Sequence, residues 1–118
     1  MSWQKELEEL AQRKALAAQL GGADKVARHK ALGKLTVRER VDALVDEGSF
    51  HEIGSIAGKA SYDAEGKLAD FVPANLVMGR ARIDGRPVAV AGDDFTVRGG
   101  AADAAIRGKL VTVEKMAL

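Results

Sequence analysis

Polar and apolar positions divide the chain into a helical opening, a strand-rich middle and a closing helix. Residues 2–20 (SWQKELEELAQRKALAAQL) are mostly strong helix formers, with Trp3, Leu7, Leu10, Ala11 and Ala18 near one face. Glu6, Glu8 and Glu9 come early and Arg13 and Lys14 later, the order a helix dipole favours. Gly21-Gly22 is expected to end this helix, which reads as a surface or partner-facing element. Two more helices are expected between residues 24 and 47. Asp24 is placed to cap the first, and Gly33 to close it. Thr36 and Glu39 have capping-box spacing, so hydroxyl and carboxylate each satisfy an orphan backbone N–H. Val37, Val41, Leu44 and Val45 form the apolar stripe that follows, and Gly48 is expected to stop it.

Past residue 48 the period shortens. SFHEIGSI (49–56) suits a short strand, and the mixed polar stretch 57–74, broken by Asp63, Gly66 and Pro73, reads as an exposed loop. The clearest β signal is Leu76 to Ile83 and Arg86 to Ala91, separated by Asp84-Gly85. That pair suits a type I′ hairpin turn. The apolar run Val88–Ala91 suggests a strand buried on both faces. Gly92, Asp93-Asp94 and Gly99-Gly100 then punctuate the chain before a last helix, where Ile106, Leu110, Val113 and Ala117 follow helical spacing. Val111, Met116 and Leu118 add apolar surface elsewhere on it. A strand–turn–helix unit ordinarily runs on into a parallel strand, and no such strand follows, so the chain is expected to be a piece of something longer. The expected organisation is a helical segment over 1–48 and an α/β unit over 49–118.

Composition narrows the chemistry. A 118-residue chain that is 47% hydrophobic and 30% charged is expected to form one soluble globular domain. Without cysteine it has no disulfide, thiolate metal site or thiol nucleophile. A net charge of +1 and only five aromatic residues argue against a nucleic-acid-binding surface. No apolar run approaches membrane-spanning length and no signal-peptide core opens the chain, so a cytoplasmic setting is the default.

Charge is nevertheless uneven. Lys25, Arg28, Lys30, Lys34, Arg38 and Arg40, with His29 among them, stand between Asp24 and Arg40 against only Asp24 and Glu39. Such a run either contacts phosphates of a nucleotide-containing ligand or forms a solvated helical face. His29 by itself reads as a surface residue. The Asp93-Asp94 pair is a weak metal signal, and Asp94 suits a structural turn cap better than catalysis. The chain contains no convincing Ser–His–Asp set and no HExxH motif.

Two extended motifs carry a family resemblance. The stretch Gly33 to Glu52 (GKLTVRERVDALVDEGSFHE) is similar to the opening segment of carboxyltransferase subunits of biotin-dependent acyl-CoA carboxylases, of the propionyl-CoA, acetyl-CoA and methylcrotonyl-CoA carboxylase type. A strand–Asp-Gly–strand unit follows over Gly79 to Val90. Then come Asp94-Phe95-Thr96-Val97-Arg98-Gly99-Gly100 and a long helix, in the family's order and spacing across residues 24–118.

The resemblance implies a crotonase-like α/β fold of ββα units wound in a spiral. It implies transfer of a carboxyl group from carboxybiotin, held on a carrier domain, to the α-carbon of an acyl-CoA. Backbone N–H groups then hold the developing oxyanions and the released biotin takes the α-proton, so no protein general base is required. The implied partners are acyl-CoA, a biotin carrier or biotin carboxylase subunit, and further copies of the full-length chain. Family members are several times longer, and their principal oxyanion glycines lie past the point where this sequence stops, so no residue here is expected to be catalytic. Gly99, Gly100, Arg28, Lys30 and Lys34 are the candidate acyl-CoA contacts, Gly99-Gly100 being equally readable as a structural turn. Ala101 stands where many relatives carry Ser, and Arg98 where an apolar residue is common. A decarboxylase relative, a non-catalytic module that docks on a full-length subunit, and a small nucleic-acid-binding protein are the alternatives.

Overall fold

A computed structural model describes residues 2–100 and 104–118. In chain order the elements are α1 (Gln4–Ala18), α2 (Ala23–Ala31), α3 (Val37–Leu44), β1 (His51–Glu52), β2 (Gly58–Tyr62), β3 (Leu68–Pro73), β4 (Leu76–Ile83), β5 (Arg86–Asp93), a 3-10 turn (Arg98–Gly100) and α4 (Ala104–Ala117). Two sheets result, one in the order β1-β4-β5 and one from β2 and β3.

The Asp84-Gly85 hairpin forms as its sequence predicts. Both residues have positive φ (50° and 79°), the requirement of a type I′ turn, and β4 and β5 pair in register from Ile83↔Arg86 to Leu76↔Asp93. A side chain from elsewhere secures the turn: the Asp46 carboxylate accepts from the N–H groups of Asp84 (2.9 Å) and Gly85 (2.8 Å). β1 flanks β4 on the other side, which leaves the outer edge of β5 unpaired among the described residues. The expectation that β5 is buried on both faces is not met. Val90 is buried while Ala91 and Asp93 are exposed, although both α3 and α4 pack on the strand.

Residues 57–74 are not an exposed loop. β2 and β3 pair from Gly58↔Pro73 to Ser61↔Asp70, and the pairing then slips so that Tyr62 faces Leu68. The slip leaves Ala69 as an extra residue. It brings Leu68 and Phe71, three apart, onto the same buried side, so the two-residue alternation that marks a strand is broken in the sequence. The Asp63 carboxylate closes the turn by accepting from the N–H groups of Glu65 and Lys67, both at 2.9 Å.

Helix α1 lies on this hairpin by its second half. Ala17 is buried, and the Arg13 guanidinium stands over the rings of Tyr62 (5.7 Å) and Phe71 (6.0 Å) while donating to the Tyr62 hydroxyl and to Glu9. Trp3 and Leu7 stay exposed, so the predicted apolar face is used only near its end. The helix stops before the glycine pair: Leu20 takes the left-handed conformation (φ 55°), and Gly21 is needed for a different reason described below.

Gly22, not Asp24, occupies the N-cap of α2, with Asp24 inside the first turn; Gly33 (φ 77°) closes the helix as expected. The capping box of α3 forms in full, Glu39 N–H donating to Thr36 Oγ1 and Thr36 N–H to Glu39 Oε1, both at 3.2 Å. The Thr36 backbone bond and then Lys30 hold the Glu39 carboxyl below its ordinary pKa. α3 ends at Leu44, where Val45 turns extended, and Gly48 lies beyond the helix. Val37 and Val41 are buried but Leu44 is exposed. Val41 packs with Ala81 and Val90, and Val37 with Leu20 and Val77, so one core joins the helices to the sheet. Each buried valine contributes about 1.5–3 kcal/mol.

On α4 the face toward the sheet is also rotated from expectation. Val113 and the stem of Lys109 are buried and Leu110 is exposed, while the Ile106 side chain lies outside the described residues. A lysine replaces an apolar residue in the stripe because its methylene stem packs inward while its amine finds a carbonyl.

Candidate functional site

The site is built on the bend that leaves β5. Asp94 N–H donates to Asn75 O (2.8 Å), one step past the last ladder pair, and the Asp94 side chain then turns inward and is only 2% exposed. Its Oδ1 accepts from Thr96 N–H (2.9 Å) and from Thr96 Oγ1 (2.6 Å). Thr96 Oγ1 accepts in turn from Gly21 N–H (2.9 Å), and Asn75 Nδ2 donates to Val97 O (3.3 Å). These polar groups therefore hold the bend from three directions. The α1–α2 junction is drawn against it so closely that a Cβ on Gly21 would lie 1.8 Å from Thr96 O.

With Asp94 and Thr96 facing inward, Phe95 between them faces outward and is 65% exposed. Arg98 and Gly99 then both take left-handed backbone (φ 53° and 60°), which folds the chain back toward α2. Two clefts lie on either side of Phe95. One, about 420 Å³, runs between α3 and the end of β5 and is lined by His29, Lys34, Val37, Arg40 and Phe95 among others. The second, about 260 Å³, lies between α2 and the bend, with Lys25, Arg28, His29, Leu32, Phe95 and Gly99 in its walls. His29 and Phe95 border both. The His29 ring is fixed by its Nε2, which donates to Leu35 O at 2.9 Å.

The structure thus separates the candidate residues. Arg28 and Gly99 share one cleft and Lys34 stands in the other. Lys30 lies outside both and pairs with Glu39 at 3.2 Å. Gly100 closes the 3-10 turn, and Ala101 lies outside the described residues. The structure adds Lys25, Arg40, His29 and Phe95. The two cations were visible in the basic run, but nothing in the local pattern around Phe95 says that an aromatic ring there faces solvent.

Charge also collects under α4, away from the clefts. Arg38 and Glu52 form a two-pronged ion pair (2.7 and 3.0 Å), and Lys109, 7% exposed, donates through Nζ to Leu76 O at 2.6 Å. Burial lowers the Lys109 pKa from its ordinary 10.5; Glu52 opposes the shift and Arg38 adds to it. A lowered pKa in the folded chain means that the unfolded chain binds the proton more tightly. The stability linked to this group is therefore complete above 10.5 and is lost as pH falls through the folded value. Urea midpoints are expected to rise from pH 8 to pH 10.5 more steeply in the parent chain than in Lys109→Met. Parallel pH profiles would show that Lys109 does not titrate differently on folding.

Among the described residues no group of three or more His, Asp or Glu gathers to hold a metal ion, and no helix is long and apolar enough to cross a membrane.

Residues 28–118, which include most of the cleft walls and the whole bend, match the family described as the carboxyl transferase domain. The chain belongs to this family. It is 39% identical over 114 residues to the propionyl-CoA carboxylase beta chain of Roseobacter denitrificans, covering 95% of this chain and 22% of the relative. It is 38% identical over 113 residues to the methylmalonyl-CoA carboxyltransferase 12S subunit of Propionibacterium freudenreichii subsp. shermanii, covering 95% and 21%. Among solved structures, the transcarboxylase 12S hexamer with methylmalonyl-coenzyme A and methylmalonic acid bound superposes with a TM-score of 0.80 at 32% identity. That match covers 98% of this chain and 23% of the other. The carboxyl transferase chain thus spans about a fifth of the length of the curated relatives it matches. Its fold is a crotonase-like α/β arrangement, with β4, β5 and α4 as one ββα unit.

Proposed function

We propose that this chain supplies one wall of the acyl-CoA site of a biotin-dependent acyl-CoA carboxyltransferase, forming the opening portion of such an enzyme. The observation that supports this reading is the pair of clefts around Phe95, one lined mainly by apolar residues with Lys34 and Arg40 among them, the other mainly by cationic and polar residues with Leu32 and Phe95 among them. Acyl-CoA needs both: anchors for its phosphates and apolar contact for its base and pantetheine arm.

Carboxybiotin on a carrier partner would supply the carboxyl group that replaces the α-proton of the acyl-CoA, the released biotin taking up that proton. The residues of this chain bind and orient; none is assigned a reactive role. The clefts hold cations suited to phosphates, and the biotin side of the reaction is assigned to other parts of a full-length protein. Gly99 and Gly100 shape the bend that forms the wall. Assembly into an oligomer is proposed for the full-length protein, on the likeness to a hexameric relative.

The test is CoA affinity by titration calorimetry. Arg28→Glu and Lys34→Glu are each expected to weaken CoA about tenfold, since charge-assisted contacts of this kind exchange an attraction for a repulsion. Lys30→Glu is expected to have a smaller effect, because Lys30 is already engaged by Glu39. Affinity unchanged by both cleft substitutions would overturn the proposal.

A further inference from the structure

We infer that Phe95 is the platform on which the adenine ring of CoA stacks, so that the ridge between the two clefts receives the nucleotide end of the ligand and not its acyl end. The inference rests on the acyl-CoA reading and adds an orientation to it. Three observations carry it.

The first is that Phe95 is held out in the open. A phenylalanine at 65% exposure leaves most of its apolar surface in water, and here nothing about the backbone is loose. Its neighbours Asp94 and Thr96 are both buried and bonded to each other, and Thr96 is bonded to Gly21 as well. The ring is therefore presented by a bend fixed on both sides. A preorganised aromatic face binds a planar base without first having to be ordered.

The second is the placement of charge. Cations do not form a single patch; Arg28 and Lys25 stand in one cleft and Lys34 and Arg40 in the other, with Phe95 between them. The nucleotide of CoA has the same topology. Adenine leaves the ribose at C1′ while the 3′-phosphate and the 5′-diphosphate leave it at C3′ and C5′, so one planar base comes with two separate anionic groups, one for each cleft. An acyl–pantetheine arm has no phosphates of its own to meet two cationic clefts.

The third is the second ring at the ridge. His29 also borders both clefts, and its bond to Leu35 O ties it to the α2–α3 loop, so the ridge has two fixed rings and not a single mobile one.

The experiment compares adenosine 3′,5′-bisphosphate, pantetheine and inorganic pyrophosphate as probes, by titration calorimetry, on the parent chain and on Phe95→Leu. Phe95 is exposed, so the leucine variant is expected to keep the parent's circular dichroism spectrum. Adenosine 3′,5′-bisphosphate is expected to bind Phe95→Leu about tenfold more weakly or worse, as loss of base–aromatic stacking ordinarily does. Pyrophosphate and pantetheine are expected to show no change. Phe95→Trp is expected to retain nucleotide affinity and to show fluorescence quenching on nucleotide addition beyond that of the parent, whose single tryptophan, Trp3, stands at the N-cap of α1.

Equal binding of the bisphosphate to parent and Phe95→Leu overturns the inference. So does an equal loss of pyrophosphate binding, which marks a disturbed bend and not a lost stack. If CoA affinity responds to Lys34→Glu but not to Phe95→Leu, the platform fails while the acyl-CoA reading stands. If the parent chain binds neither CoA nor the bisphosphate, both fall together.

Discussion

Gly21→Val is expected to lower the melting temperature by roughly 10 °C, corresponding to a loss of about 3 kcal/mol for a domain of this size. The reason is not backbone flexibility, since Gly21 does not take a positive φ. A Cβ at this position would lie 1.8 Å from Thr96 O and 2.4 Å from Thr96 C, both backbone atoms that cannot rotate away. Accommodation requires the α1–α2 junction to lift off the bend, which breaks the bond from Gly21 N–H to Thr96 Oγ1. Differential scanning calorimetry checks the size of the effect. Gly22→Ala is the control: a Cβ there meets no atom within 4 Å, although its φ of 102° makes that variant costly for local conformational reasons. The discriminating readout is therefore hydrogen exchange at Thr96 and Val97, which is expected to rise in Gly21→Val and not in Gly22→Ala. Equal exchange in both would mean that Gly21 matters only to its own turn.

Thr96→Val is the second large effect, about 3 kcal/mol by a different route. Valine keeps the shape but removes the hydroxyl that bonds in two directions. The Asp94 carboxylate, 2% exposed, loses the shorter of its two Thr96 donors, and Gly21 N–H loses its acceptor. A buried group left without its partner costs about 1–3 kcal/mol, and a bond to a carboxylate counts toward the top of that range. Because Gly21 and Thr96 share one contact, the two substitutions are expected not to add. The double variant should be less destabilised than the sum of the singles by about 1 kcal/mol, as coupled neighbours are. Denaturant midpoints for the four chains of the cycle decide this, and strict additivity would show the two sites to be independent. Thr96→Val is also expected to weaken CoA, since Phe95 and Gly99 take their places from the same bend.

How well these residues could be anticipated follows from the range of the interactions involved. Thr36 and Glu39 sit one helical turn apart, and their reciprocal bonds form wherever that spacing opens a helix. Asp84 and Gly85 likewise carry a turn that depends on little beyond themselves. Gly21 shows the opposite case. Its sequence neighbourhood reads as a helix stop, but Leu20 makes the left-handed turn, and the glycine is there because a strand exit 75 residues later passes against it. Residues 57–74 hide their strands from the sequence pattern for a related reason. One extra residue, Ala69, shifts the side-chain alternation, and only the partner strand and the overlying α1 reveal that Leu68 and Phe71 face the same way. On α4, Lys109 occupies a core position that no hydropathy pattern assigns to a lysine, because the carbonyl of Leu76 accepts its amine there.

The sequence alone was enough to establish the helices, the β4–β5 hairpin, the concentration of cations between residues 24 and 40, and the carboxyltransferase resemblance. These rest on short spacings, on charge and on ordered motifs, all of which survive without coordinates. The tertiary structure decided how the cations are distributed. Arg28 and Lys34 line different clefts that share Phe95, and Lys30 is turned aside to Glu39. That sorting depends on where α2 and α3 come to rest against the exit of β5. The resting place is set by packing Leu20 and Val37 on Val77 and Val41 on Ala81 and Val90, contacts between residues far apart in the chain.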